Sequence, residues 1–134
     1  MCSSDLQVWA IRVGTHDHLI GMIDLHSIDA GGAEIGYWLA PGARGRGHMS
    51  DAVRVVCDHG FSPTGANLQR IEWSAFVGNL ASASVARRAG LRFEGVRRLG
   101  GIQRGMRRDA WIAGLLATDD RNPADRWPPE TLSS

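Results

Sequence analysis

The residue types best suited to chemistry in this chain cluster at Arg44, Gly45, Arg46, Gly47, His48, Met49 and Ser50. An apolar, strand-like run at residues 35–39 precedes them, and a helix-like run at residues 51–61 follows. A strand, a glycine-rich turn and a helix start together make an anion site. The first amides of a helix lack intrahelical partners and point outward, and the macrodipole adds partial positive charge at the same end. Gly45 and Gly47 permit positive φ and close backbone approach, while Arg44 and Arg46 offer guanidinium groups to phosphate oxygens. The same residues would also serve as a plain helix-capping loop with solvated arginines. Spacing alone leaves both readings open.

Other chemistry-bearing groups are scattered. His16, His18 and His26 fall in or beside a turn, where solvated loop histidines outweigh a metal site. Cys2 and Cys57 have neither disulfide-framework nor metal-ligand spacing, and Cys57 lies in an apolar helical run as a buried thiol. The 15 basic residues are all arginine, and eight of them fall between Arg87 and Arg108 against the single Glu94. Such a face suits polyanions. Phe93 is the one aromatic residue within it, short of the repeated interleaving that single-strand nucleic-acid binders require, and the formal net charge of +1 gives no whole-chain bias toward nucleic acid.

The 134 residues suffice for one domain with one core. No apolar run reaches membrane-spanning length, so no membrane partner is expected and a cytoplasmic location is the default. The pattern predicts strands at residues 7–13 and 19–25 as a hairpin, a loop at 27–32, and a third strand at 33–39. On that strand Glu34, Gly36 and Trp38 share one face, with Ile35, Tyr37 and Leu39 on the other. A helix at residues 50–61 crosses over to a strand at 70–76, which implies a parallel pair. Asn79 caps a second helix near residues 80–89, and Gly90 ends it. Strands at 91–99 and 107–117 flank a loop at 100–106. The run from Ala110 to Leu116, apolar on both faces, belongs inside the sheet. The expected class is α+β (mixed α/β), mainly antiparallel with one parallel crossover, in the order β-β-β-α-β-α-β-β. Residues 1–6 read as a non-native leader, 7–117 as the domain and 118–134 as a polar, loosely packed tail.

Two segments together resemble the GNAT acetyltransferases, in their RimJ/RimL-like form typified by ribosomal-protein N-terminal acetyltransferases. The first runs from Glu34 to Pro41 and continues as Arg44-Gly45-Arg46-Gly47. The second comprises Arg70-Ile71-Glu72, Asn79-Leu80-Ala81-Ser82, Val85, Arg88, Gly90, Leu91 and Glu94-Gly95. The resemblance implies acetyl-coenzyme A as co-substrate, with its pyrophosphate on the turn from Arg44 to Ser50. It also implies that the strands at 33–39 and 70–76 splay to admit the pantetheine arm. Backbone groups near Trp38 and Leu39 would then meet the pantetheine and the acetyl carbonyl, and Asn79 would add its amide or act as a cap only. Met49 departs from the small residue usual two positions after Gly47, so its side chain must point away from the phosphates.

Acetyl transfer needs a neutral amine, a polarised thioester and a proton for the departing thiolate. Glu34 is the candidate base, acting through a water. Many members place a tyrosine seven residues after the motif asparagine as acid; that position is Ala86 here. Ser82 is the substitute, and Tyr37 a weaker option. The expected acceptor is a primary amine, either a protein N-terminus or a small molecule. The strand and two helices with which members begin have no counterpart in this sequence. An edge strand at residues 7–13, an exposed apolar patch involving Trp9, and a homodimer through that edge are therefore expected. Two other readings stay open: a GNAT-fold module that binds coenzyme A or a protein partner with little or no turnover, and an arginine-rich RNA-binding domain.

Overall fold

Period-two alternation folds the first third of the chain into a meander. Its strands are β1 (Leu6–Arg12), β2 (Leu19–Asp29) and β3 (Gly32–Leu39). The computed structural model describes residues 6–12, 19–40 and 47–132. Ile23, Leu25, Ala33 and Ile35 turn into the core, which sends Asp24, His26 and Glu34 to the opposite face. β2 and β3 meet at a two-residue turn, Ala30 and Gly31, with φ of 51° and 81°. Turns of that hand match the twist of the flanking strands. The loop expected at 27–32 is thus largely strand. Ser27, at φ 53°, lies in an irregularity between His26 and Asp29, and β2 runs on to Asp29. The turn carries no Asn-Gly or Asp-Gly signal that would betray it.

Helix α1 (His48–Phe61) buries Met49, Val53, Val56, Cys57 and Gly60 along one stripe. Gly60 lets the helix lie close to the sheet, since a Cβ there would stand 3.0 Å from Ile71 Cδ1. Strand β4 (Arg70–Phe76), helix α2 (Leu80–Arg88) and the long hairpin β5 (Arg92–Gln103) and β6 (Met106–Leu116) complete the order expected from the sequence. The six-stranded sheet runs β1-β2-β3-β4-β6-β5. Every neighbouring pair is antiparallel except β3 and β4, which are parallel and joined by the α1 crossover. Ala83 and Ala86 of α2 share one core with the α1 stripe, Ile71, Trp73 and Leu115, so both helices cover the same face. The buried run in β6 lies between β4 and β5, where its two apolar faces place it.

Three expectations are corrected. β1 is an edge strand, but Trp9 is half-buried, its ring edge-on to His59 at 5.4 Å. Alternation sends Gln7, Trp9 and Ile11 toward α1, and the exposed apolar residues of the uncovered face are Leu6, Val8, Met22 and Trp38. The segment after β6, though mostly exposed, is anchored in the core at Trp127 and Thr131. Trp127 is 4% exposed, donates Nε1–H to the Leu91 carbonyl at 3.1 Å, and packs on Trp73 and Phe93. The loop expected at 100–106 shrinks to the tip Arg104–Gly105, because β5 continues through a bulge between Arg97 and Gly101. His16 and His18 lie outside the described residues. Among those residues no helix is long and apolar enough to cross a membrane.

Candidate active site

The parallel pair is short. Gly32, Ala33 and Glu34 face Arg70, Ile71 and Glu72, and there the ladder ends. β3 stays paired with β2 as far as Leu39, and β4 with β6 as far as Phe76, so the two strands part along their outer halves. Beside the root of the split, ion pairs brace β4 against β5. Arg70 grips Glu94 through both guanidinium arms, at 2.9 and 2.7 Å, and Glu72 at 2.9 Å. This bidentate pairing holds the Glu94 carboxyl below its usual range. Gly114 makes room for it, since a Cβ there would sit 2.5 Å from Arg70 Nη1.

On the helix side the split opens into a cleft of about 430 Å³ lined by Tyr37, Trp38, Leu39, Gly47, Met49, Ser50, Asn79, Ser82 and the α2 residues Ser84, Val85 and Arg88. Gly47 heads α1 at φ 76° with no side-chain cap, and the first intrahelical bond runs from the Asp51 amide to its carbonyl. The amides of His48, Met49 and Ser50 are therefore free of intrahelical partners. Met49 is 2% exposed. Its side chain belongs to the core, which leaves its amide at the helix start. Arg44, Gly45 and Arg46 lie outside the described residues.

A second cleft, of about 420 Å³, shares Tyr37, Asn79 and Ser82 with the first and extends past Gly36, Ser74, Phe76 and Arg97 toward the uncovered face. A Cβ at Gly100 would collide with the Arg97 side chain, and one at Gly101 with the Phe76 ring. This glycine pair, which looked uninformative in the sequence, shapes that wall.

Ser82 stands where the clefts meet, and all three of its polar groups are engaged. Its amide donates to Asn79 Oδ1 at 3.3 Å, its carbonyl accepts from the Tyr37 hydroxyl at 2.7 Å, and its Oγ pairs with Trp73 Nε1 at 3.0 Å. Asn79 caps with its oxygen, so its NH₂ remains a donor for a ligand. Burial raises the Tyr37 phenol above its ordinary range. Glu34 lines neither cleft. It pairs with His26 Nε2 at 3.1 Å, and His26 Nδ1 meets Asp24 Oδ1 at 2.6 Å. His26 is thus a bridge between two carboxylates rather than a solvated loop residue. A Cβ at Gly36, which lines the second cleft, would lie 3.3 Å from the Asp24 carboxylate. Val85 and Arg88 were named from the sequence only as motif residues, and Ser84 not at all, yet all three line the cleft. Their helical spacing after Ala81 was the available signal.

Residues 2–92 match the family profile described as "Acetyltransferase (GNAT) domain". The chain belongs to the GNAT family. This GNAT domain is 34% identical over 115 residues to "Probable N-acetyltransferase YjcK" of Bacillus subtilis, a match covering 84% of the chain and 62% of that protein. It is 38% identical over 100 residues to "Putative ribosomal N-acetyltransferase YdaF" of the same species, covering 73% and 54% respectively. The solved structure of Mycobacterium smegmatis RimJ in complex with CoA-disulfide is similar with a TM-score of 0.77 at 26% identity, over 85% of this chain and 54% of that one. The GNAT domain here thus spans between 54% and 62% of the length of these relatives.

Proposed function

We propose that this GNAT domain transfers the acetyl group of acetyl-coenzyme A to a primary amine, either a protein N-terminus or a small amine. The observation that carries the reading is the parting of β3 and β4 beside the uncapped start of α1, with Ser82 and Asn79 at the head of the opening. The amides of His48, Met49 and Ser50, with Arg44 and Arg46, take the pyrophosphate. Asn79 donates to the pantetheine arm, and the β3 edge near Trp38 and Leu39 supplies backbone partners for it and for the acetyl carbonyl. A backbone donor there stabilises the oxygen charge that develops when the amine attacks. The RimJ structure, solved with CoA-disulfide, supports a coenzyme A ligand for this chain.

The hydroxyls of Ser82 and Tyr37 separate the acid candidates. Tyr37 donates its proton to the Ser82 carbonyl. An indole N–H can only donate, so Ser82 Oγ accepts from Trp73 and keeps its own hydrogen for another partner. Ser82 is accordingly the group that hydrogen-bonds the departing sulfur, and Tyr37 is a strut. The amine enters from the uncovered face through the second cleft, past Arg97 and Phe76. Glu34, two residues before Gly36 on that face, receives the amine's proton through water.

Calorimetry with acetyl-coenzyme A, followed by thiol release with a panel of primary amines, tests the reading. Binding with release is the expected result. A binding module without turnover is the second reading, favoured by the pairing of Glu34 with His26 outside both clefts; it gives binding without release from any amine. Absence of binding defeats both.

A further inference from the structure

Ser82 is gripped by the two strands that separate. Tyr37 reaches its carbonyl from β3, and Trp73 reaches its Oγ from β4. Asn79, the cap of α2, holds its amide. Trp73 is 2% exposed and braced by Trp127, whose ring centroid lies 5.5 Å away, so the indole N–H has a fixed direction. Ser82 lines both clefts at their junction. A serine hydroxyl ordinarily turns among three staggered positions about C–O, and its χ1 adds further choices. An indole N–H on one lone pair removes most of them. The bond also settles which partner is the donor, since indole cannot accept through that nitrogen.

Resting on the acetyl-transfer reading above, we propose that Trp73 is a positioning residue: its Nε1–H occupies an acceptor site of Ser82 Oγ and thereby aims the serine hydrogen at the sulfur leaving from the thioester. In that step the amine nitrogen forms the C–N bond, the C–S bond breaks and its electron pair passes to sulfur. The Ser82 O–H hydrogen-bonds the developing thiolate while the amine's proton leaves to water. Trp73 borders the second cleft but is only 2% exposed, so its effect passes through Ser82. Trp127 and the segment after β6 extend the same support by fixing the indole plane.

The test is a double-mutant cycle on the intact chain, reading thiol release at saturating amine. Trp73→Phe keeps a ring but deletes the donor. Freeing about two torsions with two to three wells each predicts a kcat loss of about four- to ninefold. The KM for acetyl-coenzyme A should not move. In a Ser82→Ala background the same substitution should cost nothing further. Replacing Trp73 with benzothienylalanine, a sulfur isostere that fills the same volume, should reproduce the kcat loss even if the phenylalanine variant folds poorly. An equal loss in both backgrounds, or no loss with the isostere, overturns the proposal. Wild-type protein that binds acetyl-coenzyme A but releases no thiol with any amine overturns the transfer reading, and this proposal with it. Turnover with an additive cycle overturns this proposal alone.

Discussion

Replacing Tyr37 with phenylalanine separates a strut from an acid, because the two roles predict losses in different quantities. The hydroxyl is buried and donates to the Ser82 carbonyl at 2.7 Å, and burial already disfavours its ionised form. Removing it deletes one neutral hydrogen bond. Within α2 the same carbonyl stands where the helix's own i to i+4 bond also reaches it, so the acceptor is not left bare. The expected cost is therefore about 1 kcal/mol rather than the larger penalty of an orphaned group. An unfolding entropy of about 2.1 cal/mol/K per residue gives this 134-residue chain roughly 0.28 kcal/mol/K, so the melting midpoint should fall by about 3–4 °C. Turnover should change by no more than about threefold, against the roughly 10²–10⁴-fold contributed by a true proton donor. Differential scanning calorimetry and thiol release at saturating acetyl-coenzyme A measure the two numbers. A hundredfold fall in kcat with an unchanged midpoint would refute the assignment of Ser82 over Tyr37.

Trp127→Ala should destabilise the fold by about 3–5 kcal/mol in chemical denaturation, as expected for a buried tryptophan that loses its packing on Trp73 and Phe93. Gly47→Ala adds a Cβ into open space but at φ 76°, so it should cost about 1 kcal/mol of stability and weaken acetyl-coenzyme A binding in calorimetry by displacing the first α1 amides. Burial pushes the Cys57 thiol up to about 12, so in a Cys2→Ser variant iodoacetamide should not label folded Cys57 at pH 8.5 while labelling it rapidly in denaturant. The folded state keeps this proton above about pH 9, where the unfolded chain has released it. Cys57 therefore makes stability fall as pH rises from about 9 toward 12, by at most about 1.4 kcal/mol per unit.

How much of this was legible in the sequence depended on whether the signal was local. α1, β4 and α2 were close to their observed bounds because each carries its own periodicity and stop signals, such as Pro63 after α1 and Gly90 after α2. The β2–β3 connection was placed at 27–32 but drawn too long, because nothing in Ser27, Ile28 and Asp29 shows that β2 runs on past the Ser27 irregularity to a two-residue turn. Trp127 was missed because a lone tryptophan among prolines and charges has no period, and only the hole beside Trp73 and Phe93 explains its burial. In the site, the Gly47 turn could be read from spacing, and Asn79, Ser82 and Tyr37 were named through the resemblance of the two motifs. Their relation could be read from neither. That Tyr37 and Trp73 converge on one serine depends on two strands brought side by side by a helix, a contact between residues 45 and 9 positions from Ser82. The environment of Glu34 was hidden for the same reason, since His26 and Asp24 reach it only through the β2–β3 register.

The opening of the sheet and the fixing of Ser82 are one geometric event. A strand pair that stayed zipped beyond Glu34 and Glu72 would leave no opening between Tyr37 and Trp73, and α2 would have no gap to stand over. Because the strands part, residues one turn inside each can send a donor to the same residue of the helix above them. On the proposed acetyl transfer, the cofactor side thus inherits its precision from the sheet itself, with Arg70, Glu72 and Glu94 bracing β4 against β5. The acceptor side is built differently, from a bulged hairpin whose glycines yield to Arg97 and Phe76 and from a carboxylate tied to His26. Substitutions on the first side should act on binding and leaving-group departure for every amine alike. On the proposed acetyl transfer, discrimination between amines falls to the second, whose wall is formed by the Arg97 and Phe76 side chains.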